Sequence, residues 1–338
     1  MTWFENMTGV DEDSPQHVRR AISVDGDCIV CPNGKRLVFG RLEMPKLTEL
    51  RAAVALIGFP ADSPMGRLSV REVVGDVRQL HVDPDNASAL FQVASQFNLL
   101  EMASPSVTPE RGVGIYQHDR TQGPACAIAC GAGTIYRNYF ARVAGANGQF
   151  SIGQSFDQQI DCAADLGKSL GNSGGKLWSM ENGYLFPSDD GLEQIATHLQ
   201  LASETDLDEL RGELRIGLQW NAAVTLEDAK HCVSQAYCSA LPVAYGRQSA
   251  DAWSDFAKLI LDAAYEATIC AGILNAARTG VNKVYLTLLG GGVFGNRDEW
   301  IVAAIERAVA KYRKHNLDVA IVSYGSSKPE VAELVSRH

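Results

Sequence analysis

The 338-residue chain has no apolar run that approaches the roughly 20 residues of a membrane-spanning helix, so a transmembrane class is not expected. Its first residues, Met1-Thr-Trp-Phe-Glu-Asn6, carry neither a basic segment nor an apolar core, and no secretory leader is expected. Seven histidines are scattered without H-x-x-x-H or H-E-x-x-H spacing, so no metal is expected. No excess of positive charge exists: the net charge of −10 argues against nucleic acid or an anionic membrane as partner. There is no Walker loop, no G-x-G-x-x-G dinucleotide fingerprint, no internal repeat and no low-complexity tract. The eight cysteines show no disulfide framework. Cys28-Ile-Val-Cys31 is a lone C-x-x-C without a second pair at zinc spacing, and it reads as structural. Several others lie in apolar contexts, such as Cys126 and Cys270, and fit buried free thiols in a reducing, cytoplasmic setting. What remains, 46% hydrophobic and 21% charged residues, is an ordinary globular chain of one elaborated domain or two smaller ones.

The most informative stretch is Val284-Tyr-Leu-Thr-Leu-Leu-Gly-Gly-Gly-Val-Phe-Gly-Asn296. Its first half is an almost continuous apolar run, as expected of a buried parallel strand. Three glycines then break it, and a helix is expected from Asp298-Glu-Trp300 onward. A glycine run between a strand and a helix start lets bare backbone N–H groups approach an anion, where the helix dipole adds partial positive charge. That is phosphate-binding geometry; a tight strand-to-helix turn is the plain alternative.

Residues 1–60 read as an accessory region. Short strand-like pieces are separated by Asp25-Gly26 and Asn33-Gly34, giving a small meander, and Leu47 to Leu56 suits a helix. The main domain spans 61–338. Its early parts are a strand ending at Gly75-Asp76-Val77 and a buried strand from Ala89 to Asn98. A helix follows from Ala125 to Phe140, with Thr121 as its cap and Pro124 in its first turn. An insertion is expected at about 143–212, with a turn at 145–148, a helix from Gln158 to Leu170, a hairpin about Asn182-Gly183 and further helices near 191–200 and after Glu204. Strands Leu214–Trp220 and Cys232–Val243 come next. A long helix from Asp251 to Arg278, the glycine-loop strand, a helix from Trp300 to His315 and a last strand at Leu317–Ser323 complete the chain. This alternation predicts an α/β fold of three layers, α/β/α, with a mostly parallel mixed sheet.

With these parts in order, the chain resembles the macrodomain superfamily. The likeness rests on Gly75-Asp76-Val77, the strand Gln92-Val-Ala-Ser-Gln-Phe-Asn98, and Gly290-Gly-Gly-Val-Phe-Gly295, and covers roughly residues 67–145 and 213–325. The usual glycine-rich stretch after the Asn is absent. Leu99-Leu-Glu101 and Asp119-Arg-Thr-Gln-Gly-Pro-Ala125 stand in its place, which together with the N-terminal β-rich extension and the insertion is similar to the divergent, glycohydrolase-type (MavL-like) branch. The resemblance implies ADP-ribose as ligand or product, no cofactor, and hydrolysis of mono-ADP-ribose from protein side chains, arginine-linked and with ubiquitin a candidate carrier. A module that only binds ADP-ribose, and a hydrolase for a free nucleotide derivative, are the alternatives.

Breaking the bond at the distal ribose passes through an oxocarbenium-like state that a carboxylate can assist. Asp119, Glu101 and Glu110 are the candidates, each with a plain role open to it: helix-start partner, loop charge and surface turn. Asp76 is expected at the adenine, Asn98 at the distal ribose, and Thr121, Gln122 and Gly123 at ribose hydroxyls or phosphate. Gly290, Gly291, Gly292, Val293, Phe294, Gly295 and Asn296 are expected around the diphosphate, with Phe294 stacking on ribose or adenine.

Overall fold

The computed structural model describes residues 1–57, 67–145 and 148–338. The expected boundary at 60/61 and the middle of the turn at 145–148 lie outside them. A seven-stranded sheet runs through the molecule: β1 (Arg41–Glu43), β2 (Ser69–Val74), β3 (Leu90–Ala94), β4 (Gly217–Ala223), β5 (Cys232–Cys238), β6 (Lys283–Leu286) and β7 (Asp318–Ser323). Their order across the sheet is β1-β4-β5-β3-β6-β7-β2. From β5 to β2 all neighbours are parallel, while β4 runs antiparallel to β5 and β1 antiparallel to β4. The mostly parallel mixed sheet is therefore as expected. β1 and the helix Leu47–Ile57, both from the stretch read as accessory, join the main sheet and its helical layer.

Both faces of the sheet are covered, and adjacent residues of β3 show it, since successive side chains of a strand point to opposite sides. Phe91 stacks on His81 of the helix Val77–Val82, with centroids 3.9 Å apart. Gln92 donates to the Thr268 hydroxyl on the helix Ala250–Thr279 at 2.9 Å. That 30-residue helix starts at Ser249, whose hydroxyl accepts from the Ala252 amide, and ends at Gly280, where φ is +77°. Among the described residues it alone is long and apolar enough to cross a membrane, but 89% of its most apolar stretch is buried inside the fold. A helix apolar on all sides belongs at the centre of a layer, and helices Leu47–Ile57, Asp189–Leu201, Glu204–Gly212 and Asp298–Lys311 pack around it.

Several elements end where tertiary partners capture the backbone. The strand expected over 284–289 stops at Leu286, because the next free amides are taken by side chains: Thr287 N–H by Gln92 and Leu289 N–H by Tyr265. The helix expected from Gln158 starts at Ala164. Before it, Ile160 N–H donates to Gln154 and Cys162 N–H to the Phe97 carbonyl. The helix expected over 125–140 is two, Gln122–Ala129 and Gly131–Tyr139, broken at Cys130 with ψ +57°. At the break Thr225 accepts from Gly131 N–H and donates its own amide to the Ala129 carbonyl.

The meander (23–25, 28–30, 36–38) and the hairpin 178–187 form as expected. Helices Trp3–Thr8, Pro15–Ala21 and Pro329–Ser336 were not anticipated. The N-terminal helices build a second apolar cluster with Leu100, Met102, Val113 and Tyr116, separate from the main core. All eight cysteines are free, six of them buried.

Candidate active site

In an open parallel sheet, ligands bind beyond the carboxyl ends of the strands. Here a cleft of about 210 Å³ opens at the ends of β3 and β6. It lies between Ala94–Gln96, Glu101–Ala103, Asp119 with Thr121–Pro124, and Thr287–Gly290 with Gly292–Phe294, and Tyr184 and Tyr245 close its mouth.

One wall is the start of the helix Gln122–Ala129. The first amides of a helix have no partner within it, so those of Gln122 and Gly123 stay available at the cleft. Gly123 is required there: a Cβ would fall on the Ala94 carbonyl oxygen and the Glu101 carboxyl. The Gln122 side chain is spent on the sheet. It accepts from Ala94 N–H at 2.9 Å and donates to the Gln92 carbonyl at 2.8 Å, so the expected side-chain contact with ribose is not open to it. The Thr121 hydroxyl is likewise committed, donating to Asp119 at 2.7 Å.

The opposite wall is the glycine loop. Gly290 and Gly295 adopt φ of +73° and +71°, a left-handed conformation that favours glycine. Asn296 N–H donates to the Gly290 carbonyl and closes the loop on itself. The amides of Gly292, Val293 and Phe294 make no backbone hydrogen bond among the described residues. Gly292 is exposed, and a side chain there would meet nothing within 4 Å. Gly291, Gly295 and Asn296 shape the loop without lining the cleft. The Asn296 amide group donates to the Leu241 carbonyl at 2.8 Å.

Two of the three candidate carboxylates meet in this cleft. Glu101 is 4% exposed, and its Oε1 is buried without a hydrogen-bond partner among the described residues. Burial pushes its pKa well above the usual carboxylate range; the Arg137 charge opposes this and the Asp119 charge reinforces it. Arg137 itself is fully buried, lying 3.6 Å over the Tyr237 ring and donating to the Leu99 carbonyl at 3.0 Å. Asp119 is half-buried, and one of its oxygens accepts from both the amide and the hydroxyl of Thr121.

Three expected residues lie elsewhere. Glu110 is exposed outside the cleft, and its carboxylate accepts from Phe156 N–H at 2.7 Å. Asn98 is wholly buried and turned to the insertion, where it donates to Gln159 at 2.8 Å; Gln96 and Ser95 hold the cleft position expected for it. Asp76 is exposed and caps the helix Val77–Val82 by accepting from Arg78 N–H, on the same rim of the sheet but outside the cleft.

Of the three rings at the cleft mouth, Phe294 is expected from the sequence, and Tyr184 and Tyr245 are not. Tyr184, Tyr245 and Phe294 touch pairwise, with centroids 5.4 to 5.7 Å apart. Tyr184 comes from the insertion hairpin, and its hydroxyl donates to the Met102 carbonyl at 2.7 Å, next to Glu101. The signal was the hairpin itself, Tyr184-Leu-Phe186 after Asn182-Gly183; nothing in the spacing said which way it folds.

No family model matches the chain. No curated protein matches it either. Among solved structures it is similar to poly(ADP-ribose) glycohydrolase from Thermomonospora curvata bound to the inhibitor ADP-HPD, at 12% identity and a TM-score of 0.43, over 96% of each chain. It is also similar to poly(ADP-ribose) glycohydrolase from Deinococcus radiodurans in complex with ADP-ribose, at 12% identity and a TM-score of 0.42, over 88% of this chain and 92% of that one. Likenesses this loose decide nothing about chemistry, which rests on the cleft.

The cleft offers two sets of amide donors, a carboxyl whose pKa burial pushes up and a second carboxylate fixed by Thr121. No Lys, Arg or His is among the described residues that line it, and no three His, Cys, Asp or Glu among the described residues converge on a metal position. Such a site can bind an anion by backbone and dipole and offer one proton donor and one proton acceptor beside it.

Proposed function

We propose that the chain is a macrodomain-type ADP-ribosyl hydrolase of the MavL-like branch, removing mono-ADP-ribose from protein side chains. The observation that carries the reading is the buried, unpartnered Glu101 carboxyl set against Gly123 at a helix start, opposite the glycine loop. The diphosphate bridges the amides of Gln122 and Gly123 and those of Gly292 to Phe294. The distal ribose then reaches Glu101 and Asp119. The adenosine half runs along the rim toward Asp76: β2 is three strand spacings from β3, about 14 Å, which suits the reach of an adenosine.

In the reaction, the bond between the ribose anomeric carbon and the side-chain nitrogen breaks. The protonated Glu101 gives its proton to the departing nitrogen, and Asp119 takes one from the water that attacks the anomeric carbon. We assign the linkage to arginine. Supporting this are the Asp119 carboxylate and three aromatic rings in a cleft whose described lining has no cationic side chain. A planar guanidinium is attracted to ring faces and to carboxylates, and no like charge repels it. Ubiquitin is the carrier we propose, from the resemblance alone. A cytoplasmic location fits the eight free cysteines.

The test is to incubate the protein with ubiquitin carrying ADP-ribose on arginine, and with serine- and glutamate-linked substrates, and to follow released ADP-ribose by chromatography. Release from the arginine conjugate alone is expected. Binding of ADP-ribose without release from any substrate would leave a reader module and sink the hydrolase. Gly292→Asp, which the open space tolerates, is expected to abolish calorimetric ADP-ribose binding without changing the fold.

A further inference from the structure

The two carboxylates do not stand on the sheet. Glu101 and Asp119 sit on loops packed on the N-terminal segment, through the second apolar cluster. The polar link within that packing is Glu12. Its carboxylate accepts from Val113 N–H at 2.7 Å, from Gly114 N–H at 2.6 Å and from the Tyr139 hydroxyl at 2.7 Å. The chain makes room for it: at Gly112, with φ +82°, and at Gly114, an added Cβ would run into the Glu12 carboxyl. Trp3 fastens the same turn from its other side, its indole N–H donating to the Val113 carbonyl and its amide to Gln117. The turn 114–118 then carries Tyr116, whose hydroxyl accepts from Glu101 N–H at 3.0 Å and whose carbonyl accepts from Asp119 N–H at 3.1 Å. Glu12 and Trp3 thus hold the backbone on which both cleft carboxylates are hung, Glu12 at the two amides and Trp3 at the Val113 carbonyl and Gln117.

We infer that Glu12 is a positioning residue: through Val113, Gly114 and Tyr116 it sets the separation of Glu101 from Asp119 and the depth at which Glu101 is buried. The inference rests on the hydrolase reading for its kinetic consequence but not for its geometry. Among the described residues Glu12 makes no hydrogen bond to the cleft lining, and the diphosphate donors stand on the glycine loop and on the helix that opens at Gln122, whose side chain ties that helix to the sheet. Loosening the turn therefore moves the acid–base pair and leaves the anion site in place.

The variant is Glu12→Gln, which keeps the side chain's size and loses the charge shared by two amides and a hydroxyl. The expected result is a fall in kcat of about 10²-fold, the cost of displacing a catalytic group by an ångström or so, with the ADP-ribose dissociation constant unchanged within about twofold. The titratable and charged groups that face Glu101 are Asp119, Arg137, Tyr116, Tyr184, Tyr237 and Cys126. As its carboxyl becomes more exposed, the fall of the rate at high pH should move to lower pH. Tyr116→Phe should act alike, and the double variant should lose little more than either one, since both cut one chain of contacts. Ser203→Ala is the structural control. It removes the hydroxyl that accepts from Asp206 N–H and caps the helix Glu204–Gly212, on elements apart from the 112–119 turn, so it should lower thermal stability and spare kcat and the pH profile.

A Glu12→Gln protein with parental kcat and an unmoved pH profile overturns the inference. So does one that loses kcat and ADP-ribose affinity in proportion. If the parent turns over no substrate, the hydrolase reading fails by itself. Carbon-13 titration of the Glu101 carboxyl in parent and Glu12→Gln then decides: a midpoint lowered in the variant supports the positioning role, and an identical midpoint ends it. Should Glu12→Gln not fold, the same two readouts on Tyr116→Phe decide in the same way.

Discussion

Glu101 and Asp119 face one cleft from different surroundings, and under the proposed reaction that difference divides their work. Burial raises the pKa of Glu101 above the ordinary carboxylate range, the direction that the proposed proton donation to a leaving nitrogen requires. Glu101→Gln should lower turnover by about 10²- to 10⁴-fold with ADP-ribose affinity nearly unchanged, and should erase the decline of rate at high pH. The linkage has a definite sign. A carboxyl whose folded pKa is raised contributes stability that is present below the ordinary carboxylate range and lost as pH rises through the folded value. Denaturant titration of Glu101→Gln should thus show a weaker loss of stability toward alkaline pH than the parent. Gly123→Ala probes the same corner sterically. With the Ala94 carbonyl oxygen in the way of a Cβ, it should cost about 1–3 kcal/mol in chemical denaturation and abolish ADP-ribose binding. At this scale the sequence named Asp119 for its place just before a helix start, Glu101 for following the strand-end Asn98, and Gly123 and the glycine loop for the bare backbone they present at helix starts. It misplaced Asn98 because a strand end says nothing about which side its last side chain turns, and the insertion claimed that side.

Elements tell a different story, since the site depends on how closely a long helix lies against one short strand. Gly272 of the helix Ala250–Thr279 leaves room for Val284 of β6: a Cβ there would meet the Val284 side chain. β6 leads directly into the glycine loop. Gly272→Val should therefore push the strand outward, destabilise by about 1–3 kcal/mol and weaken ADP-ribose binding, although position 272 is remote from any ligand. Calorimetry with a folded variant would check it, and unchanged affinity would break the connection between helix packing and loop. Elements with strong periodicity or paired turn residues were legible: the long helix, the meander, the hairpin about Asn182-Gly183. The first helix also carried its signal, the Thr2-Trp-Phe-Glu5 capping box, in a stretch too short for periodicity. The false helix start at Gln158 and the break at Cys130 have another origin: partners distant in sequence, Phe97 and Thr225, take or supply the backbone hydrogen bonds there.

For the molecule as a whole, pH acts through two buried groups whose contributions run opposite to that of Glu101. Glu266 has no exposed side-chain surface and is held by Arg51, Arg307 and Lys311, which also share Asp208. Burial alone would raise its pKa, but hydrogen bonds from Arg51, Lys311 and Arg307 outweigh burial and bring it from 4.5 to about 2. A shift of that size corresponds to about 3 kcal/mol. It is a depressed acid, so its stabilisation is present above pH 4.5 and lost as pH falls toward 2. His81, stacked on Phe91 and fully buried, has its pKa lowered from 6.5 to about 4, chiefly by burial, so its contribution is lost earlier, as pH falls from 6.5 toward 4. Stability should therefore decline in two stages on acidification, the first near neutrality and the second below pH 4.5. Glu266→Gln should remove the second stage. The same change leaves three cations around an uncharged amide, and should cost about 3–5 kcal/mol at pH 7. Because this network ties Leu47–Ile57, Glu204–Gly212, Ala250–Thr279 and Asp298–Lys311 together on the helical face while the cleft opens at the strand ends, ADP-ribose affinity of the still-folded variant should match the parent. Denaturant melts from pH 8 to 3, paired with calorimetry at pH 7, test both halves: a single-stage decline in the parent contradicts the two windows, and lost affinity in a folded Glu266→Gln protein contradicts the independence of network and cleft.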